Sequence, residues 1–261
     1  MSSPFPPETF DLIVDFLDDL DALEACCLVS KSWIHRTRKY LFSHVEFMES
    51  DSERWQKIFP DPSNSPAHYT RSLSICADEI FTLVDTGAGD WIRAFSGVIR
   101  LELGFFHSNI SLAPLHGLFP TLKSLRVSYR FSRSSSEMFG LVCSFPLLED
   151  LSLYSPNDDN EDEWDIPSTS PRLTGSLDLT MLNTIGPAVR RLLELPSGLH
   201  FSKIDVSYEE EDFESMMDLV SSCSDTLESL SICCDDPGGA GFPSVLVVGQ
   251  YLTATFLRRR E

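Results

Sequence analysis

Hydrophobic positions follow a helical rule near the N-terminus of this chain and a strand-like, repeating rule beyond residue 70. Phe10, Ile13, Val14 and Leu17 sit at i, i+3, i+4 and i+7, the spacing of a single buried helical stripe. Pro6 and Pro7 suit the start of that helix, where a missing N–H costs little and a φ of about −65° is already helical. Asp18, Asp19 and Asp21 break the stripe and offer capping carboxylates for a second helix through Leu23 and Cys27. Ser30 is placed to cap a third, on which Trp33, Thr37, Tyr40 and Leu41 share a face. Three helices this short bury little area alone. Such a unit is expected to be completed by a partner.

Beyond residue 70 the pattern apolar-x-x-apolar-x-apolar recurs. It reads Val98-x-x-Leu101-x-Leu103, Leu122-x-x-Leu125-x-Val127, Leu148-x-x-Leu151-x-Leu153, Phe201-x-x-Ile204-x-Val206 and Leu227-x-x-Leu230-x-Ile232. Weaker copies centre on Leu73 with Ile75 and on Leu177 with Leu179, with Thr70 and Thr174 at the first position. The middle residues fall at 73, 101, 125, 151, 177, 204 and 230, in steps of 28, 24, 26, 26, 27 and 26. A period near 26 lies in the leucine-rich-repeat range, in which each unit gives one short strand and a return helix. Alternation sends both apolar residues of each strand to one side. Phe213, Met216, Met217 and Val220, then Met138, Leu141 and Val142, then Val189, Leu192 and Leu193 have the helical spacing expected of the returns. Phe119-Pro120 and Phe145-Pro146 steer the chain from return into strand. The expected fold is therefore α/β: three N-terminal helices, then an irregular solenoid of short parallel strands with return helices.

Three segments fall outside both rules. Residues 51–68 include Asp61-Pro62-Ser63-Asn64-Ser65-Pro66, turn chemistry without apolar period, and read as a linker between a module at 1–50 and a repeat region at 69–261. Trp55, Ile58 and Phe59 are expected to pack beneath the first repeat. Residues 157–165 hold six carboxylates around Trp164 and read as a solvated loop. After Asp235-Asp236-Pro237-Gly238-Gly239 the pattern disappears, so the array ends either in an unusual cap or short of one.

Composition narrows the partners. At 42% hydrophobic and 23% charged residues the chain is that of an ordinary globular protein. Its net charge of −20 disfavours duplex nucleic acid and anionic membranes. The first residues lack a positive n-region and no apolar run approaches 18 residues, so a cytoplasmic or nuclear location is expected. The seven cysteines lack metal-ligand spacing and read as small buried thiols, while six scattered histidines form neither HExxH nor HxH. Gly87-Ala88-Gly89 is a bare GxG, and neither a phosphate loop nor a G-x-S-x-G elbow occurs. No cofactor, metal or catalytic activity is indicated by these residues.

The ordered set Phe5-Pro6-Pro7-Glu8, the paired apolars of the first helix and Leu28-Val29-Ser30-Lys31-Ser32-Trp33 resembles the F-box, over about residues 4–47. Phe5 replaces the leading Leu of that pattern. The resemblance implies docking on the Skp adaptor of a cullin-RING ubiquitin ligase, with Phe5, Pro6, Pro7, Ile13, Leu28, Val29 and Trp33 lining or supporting the adaptor surface. With the repeats behind it, the chain is similar to fungal F-box proteins with leucine-rich-repeat-like C-terminal regions, although the Asn or Cys that usually follows LxL is missing. A target protein would then lie on the strand residues between the inward apolars: Ser74, Glu102, Arg126, Ser152, Asp178, Asp205 and Ser231, with Tyr154 as an aromatic anchor. From Asp150 onward this row is acidic, which implies a basic target segment. A leucine-rich interaction scaffold not engaged in ubiquitination, its helices merely capping the array, is the alternative.

Overall fold

The computed structural model describes residues 6–48, 50–76, 89–104, 112–128, 135–154, 168–180, 182, 184–208, 210–234 and 244–246. They fall into two compact units, Met1–Gly104 with Pro114–Leu122, and Lys123–Glu261 with Phe105–Ala113. Both are α/β.

The first unit opens with α1 (Pro7–Asp15), α2 (Leu20–Val29) and α3 (Lys31–Leu41). Their caps are those read from the sequence: the Asp19 side chain accepts from the Ala22 N–H at 3.0 Å, and Ser30 Oγ accepts from the Ser32 N–H at 3.3 Å. The helices lead directly into a strand, β1 (His44–Phe47), followed by α4 (Asp51–Ile58) and β2 (Ser72–Cys76), then α5 (Gly89–Arg93) and β3 (Arg100–Gly104). The three strands run parallel, with Val45 beside Leu73 and Leu101, and Phe47 beside Ile75 and Leu103. β1 escaped the sequence reading although Phe42, Val45 and Phe47 repeat the same apolar spacing.

Residues 51–68, read as a linker, are folded. Besides α4 they form two short 3₁₀ turns, and Ser52, Ser65, Pro66 and Ala67 are buried. As expected, Trp55 packs inside, with its ring centroid 5.6 Å from Phe47 and 5.5 Å from Phe95. Trp91 joins Phe47 at 5.4 Å, and Phe42 meets Trp55 at 5.9 Å. Aromatic contacts of this kind, edge-to-face except for the tilted Trp55–Phe95 pair, add to the area they bury. Ile58, expected in the same cluster, instead points to solvent.

The second unit contains β4 (Ser124–Ser128), α6 (Ser135–Cys143), β5 (Asp150–Tyr154), β6 (Ser176–Leu179), α7 (Gly186–Leu193), β7 (Lys203–Tyr208), α8 (Phe213–Ser222) and β8 (Ser229–Cys234). β4 to β8 pair in parallel in chain order, and β9 (Ser244–Leu246) adds antiparallel to β8. Leu125, Leu151, Leu177, Ile204 and Leu230 form one buried column. In β4, β5 and β6 the buried residues alternate with the exposed or half-buried row, while in β7 Ser207 is buried next to Val206. At three steps one backbone carbonyl takes two amides of the next strand: Lys123 those of Glu149 and Asp150, Gly175 those of Ser202 and Lys203, Ser202 those of Glu228 and Ser229. Before β6 the Glu149 carbonyl takes only the Gly175 N–H, and the Ser176 N–H turns to the Asp150 carboxylate. Backbone bonds thus help fix register, with the Asp150 side chain replacing one of them at β6.

The returns need some correction. Met138, Leu141 and Val142 are buried as expected, together with Phe139. On α8 the buried side chains are Met216 and Leu219, and Phe213 is exposed, because the stripe is rotated toward Leu219. On α7 Val189 and Leu192 are buried and Leu193 reaches solvent. Leu173, not Thr174, fills the first apolar position before β6, so that repeat carries one extra residue. The Phe-Pro turns are real: Phe119 and Phe145 are buried, and their carbonyls accept from the Leu122 and Leu148 N–H groups at 3.1 and 3.2 Å. Phe95 closes the same turn onto Val98 at 3.2 Å. Of the described thiols only Cys223 is buried, while Cys26, Cys27, Cys76, Cys143 and Cys233 are half-buried. Burial pushes the Cys143 thiol up to about 11 and shifts Cys223 upward as well. The acidic run at 157–165 and the C-terminal residues after Leu246 lie outside the described residues. Among the described residues no helix is long and apolar enough to cross a membrane.

Candidate protein-docking surfaces

The N-terminal helices have room for few side chains between them. Val14, Leu23 and Thr37 fill that space, at 1%, 3% and 0% exposure. Polar links hold the rest. Asp15 at the end of α1 accepts from Arg36 Nε at 2.7 Å, from Arg36 Nη2, and from the Tyr40 hydroxyl at 2.6 Å. The Arg36 guanidinium and the Tyr40 hydroxyl hold the Asp15 carboxyl down at about 2, and both partners shift upward in return. On the α2–α3 side the Thr37 hydroxyl donates to the Trp33 carbonyl at 2.8 Å and accepts from the Cys27 thiol at 2.8 Å.

With so small an interior, the remaining apolar side chains are left outside. Leu12, Ile13 and Phe16 at the end of α1, and Leu20, Leu28 and Val29 on α2, are all exposed, Leu28 by 90% and Phe16 by 81%. Water-facing apolar residues scattered singly need no explanation, but six within eighteen residues are a concentration that singles out these helices as a candidate contact surface. The residues expected at an adaptor surface divide accordingly. Pro6, Ile13, Leu28 and Val29 are exposed, and Trp33 is half-buried. Ile13 therefore does not belong to the buried stripe assigned to it, since on α1 the inward position is held by Val14. Phe5 and the side chain of Pro7 lie outside the described residues. Leu12, Phe16 and Leu20 were missed, and their signal was legible: large apolar residues lying off the inward stripe.

The second surface is the open face of β4 to β8. Register places Arg126 beside Ser152, Ser152 beside Asp178, Asp178 beside Asp205, and Asp205 beside Ser231, so the expected row exists in this unit as one line across five strands. In the first unit Ser74 pairs with Glu102 in the same way, with Glu46 as a third member. Arg126 stacks on the Tyr154 ring with its guanidinium carbon 4.4 Å from the centroid, and also hydrogen-bonds the Tyr154 hydroxyl. Asp178 accepts from the Thr180 N–H and hydroxyl at 3.0 and 2.7 Å and from the Ser152 hydroxyl at 3.2 Å. Asp205 pairs with Lys203 at 2.6 Å, a contact that raises the lysine ammonium.

These partners correct the acidic reading of the row. Lys203, two positions from Asp205 and on the same side of the strand, supplies a cation that the sequence reading omitted. Asp150 is structural: its carboxylate accepts from the Ser176 N–H at 2.6 Å and hydroxyl at 2.8 Å, and a Cβ on Gly175 would run into it. The face is therefore polar and mixed in charge, rich in small hydroxyls at Ser124, Ser128, Ser152, Ser176, Thr180, Ser229 and Ser231. Comparison of the chain with protein-family models and with curated protein sequences finds no match.

Proposed function

We propose that the protein is the substrate-receptor subunit of a Skp–cullin–F-box ubiquitin ligase, docking the Skp adaptor through its N-terminal helices. The observation that carries this reading is the exposed apolar set Leu12, Ile13, Phe16, Leu20, Leu28 and Val29 on helices whose own interior is already full. A helical cap that merely closed an array would turn those side chains toward the strands. The ordered residues from Pro6 to Trp33 support the F-box as the chemistry of that surface. The parallel strands with return helices serve as a leucine-rich-repeat array that holds a target on the open strand face. Arg126 with Tyr154 offers one recognition end, and the mixed-charge set of Asp178, Lys203 and Asp205 offers the other, suited to a polar target segment. Catalysis is supplied by other subunits.

The test is co-purification of a Skp-type adaptor with the intact chain and with a Phe16→Asp plus Leu28→Asp variant. Both side chains are more than four-fifths exposed, so the variant keeps its unfolding midpoint. Retention is expected to fall at least about tenfold, the loss of roughly 1.4 kcal/mol or more of contact energy. Equal retention by the variant, or no binding by the folded intact chain, overturns the reading. Deleting residues 1–50 is a poorer control, because it removes β1 and Phe47 from the fold of the first unit.

A further inference from the structure

The first unit contains a cavity of about 360 Å³ lined by Lys39, Tyr40, Ser43, His68, Tyr69 and Arg71. Its residues come from the end of α3 and from the turn that leads into β2. Lys39, Arg71 and His68, all exposed to solvent, line this surface depression, in a chain whose net charge is −20.

The walls are held by bonds that consume most of their polar capacity. The Tyr40 hydroxyl donates to Asp15 at 2.6 Å, and the Ser43 hydroxyl donates to the Tyr40 carbonyl at 2.7 Å. The Tyr69 hydroxyl bonds His35 Nδ1 at 2.6 Å, and His68 Nδ1 donates to the Ser65 carbonyl at 2.9 Å. The cations are different. Arg71 gives one Nη1–H to the Gly97 carbonyl at 2.8 Å, and the rest of its fork has no hydrogen-bond partner among the described residues. Lys39 makes no hydrogen bond or ion pair among the described residues. Asp15, the carboxylate whose field it feels, is already committed to Arg36 and Tyr40.

We propose that this cavity is a binding site for a phosphate monoester. A dianion matches two cations that have no ion-pair partner among the described residues, and the pair combines a point charge with a planar fork, the two donor geometries suited to phosphate oxygens. A monocarboxylate would leave one cation unmatched. The volume lies at the small end of ligand pockets, enough for a phosphoryl group with a compact organic body. His68 and Tyr69, with ring centroids 3.9 Å apart, give that body an aromatic wall. A phosphate monoester reaches the site either as a free small molecule or as a phosphorylated side chain, and the recognition chemistry is the same. The site is independent of the adaptor reading.

The experiment is an amide NMR titration of the full chain with glucose 6-phosphate, a phosphoserine pentapeptide and, as monoanion control, acetate at matched ionic strength. Saturable shifts confined to residues 39–43 and 68–71 are expected from the two phosphate monoesters, with midpoints in the millimolar range or below. Lys39→Gln, at an exposed position with no internal bond, is expected to raise those midpoints about tenfold, the worth of one charge-assisted contact. Tighter binding of the sugar phosphate assigns a free metabolite and tighter binding of the peptide a phosphorylated segment, and both support the site. No saturable shift, an equal response to acetate, or midpoints unmoved by Lys39→Gln overturn it.

Discussion

The N-terminal helices and the strand repeats of the second unit dispose of their apolar residues in opposite ways. In the repeats, the inward residues of β4 to β7 are buried, and each strand closes the interior of the one before it. In the helices only Val14 and Leu23 among the described apolar side chains are buried, and polar links at Asp15 and Thr37 do much of the joining. Apolar residues thus specify the fold in one region and remain available for contact in the other.

The same substitution should separate the two regions most clearly. Leu151→Ala empties a site 1% exposed in the middle of the buried column, and a loss of about 2–5 kcal/mol is expected in chemical unfolding. Leu28→Ala, at 90% exposure, should stay within about 0.5 kcal/mol of the parent while weakening adaptor retention. If Leu28→Ala destabilises as Leu151→Ala does, the helices carry a core that the contrast denies them.

Polar groups in the repeats obey the same rule of internal use. Asp212, buried ahead of α8, accepts from the Ile185 and Gly186 N–H groups, both at 3.0 Å, and so caps α7 from the following repeat. Asp212→Ala leaves two buried donors at a helix N-terminus without their acceptor. A cost of about 3 kcal/mol is expected by urea unfolding. A change below about 1 kcal/mol would mean that solvent reaches those amides.

The periodicity of Leu101, Leu125, Leu151, Ile204 and Leu230 was enough to read parallel strands and their register, because a period of two leaves one choice of inward face. The caps at Asp19 and Ser30 were legible for the same reason, being local chemistry. Exposure on the helices was not. Helical spacing tells which residues share a face, and it took the packing around Val14 to show that Ile13 faces outward. The charge of the strand row was misread because Lys203 neutralises Asp205 along one strand and Asp150 bonds across to Ser176. Such pairings depend on which strands are neighbours, which a residue count does not show.

The polar link of the helices gives a pH-dependent form of the comparison. The Asp15 carboxyl is lowered from 3.8 to about 2 in the fold, so its contribution is fully present above that ordinary value and is lost as pH falls through the window between the two. Unfolding midpoints measured from pH 5 to pH 2 are therefore expected to fall more steeply for the parent than for Asp15→Asn. Parallel profiles would show that Arg36 and Tyr40 lend the fold nothing through this carboxylate.

The smallest effect concerns a repeat that departs from its own rule. At the first apolar position, where other units hold Val98, Leu122, Leu148, Leu173, Phe201 and Leu227, the β2 unit holds Thr70. Its side chain is fully buried, and its hydroxyl has no hydrogen-bond partner among the described residues. Valine has nearly the same shape without the polar group, so Thr70→Val removes a desolvated hydroxyl while leaving the packing in place. A gain of about 1 kcal/mol in unfolding free energy is expected, the opposite sign to the other core substitutions. A loss of similar size would show that the hydroxyl is bonded, and that this unit tolerates threonine for a reason that the repeat pattern alone does not contain.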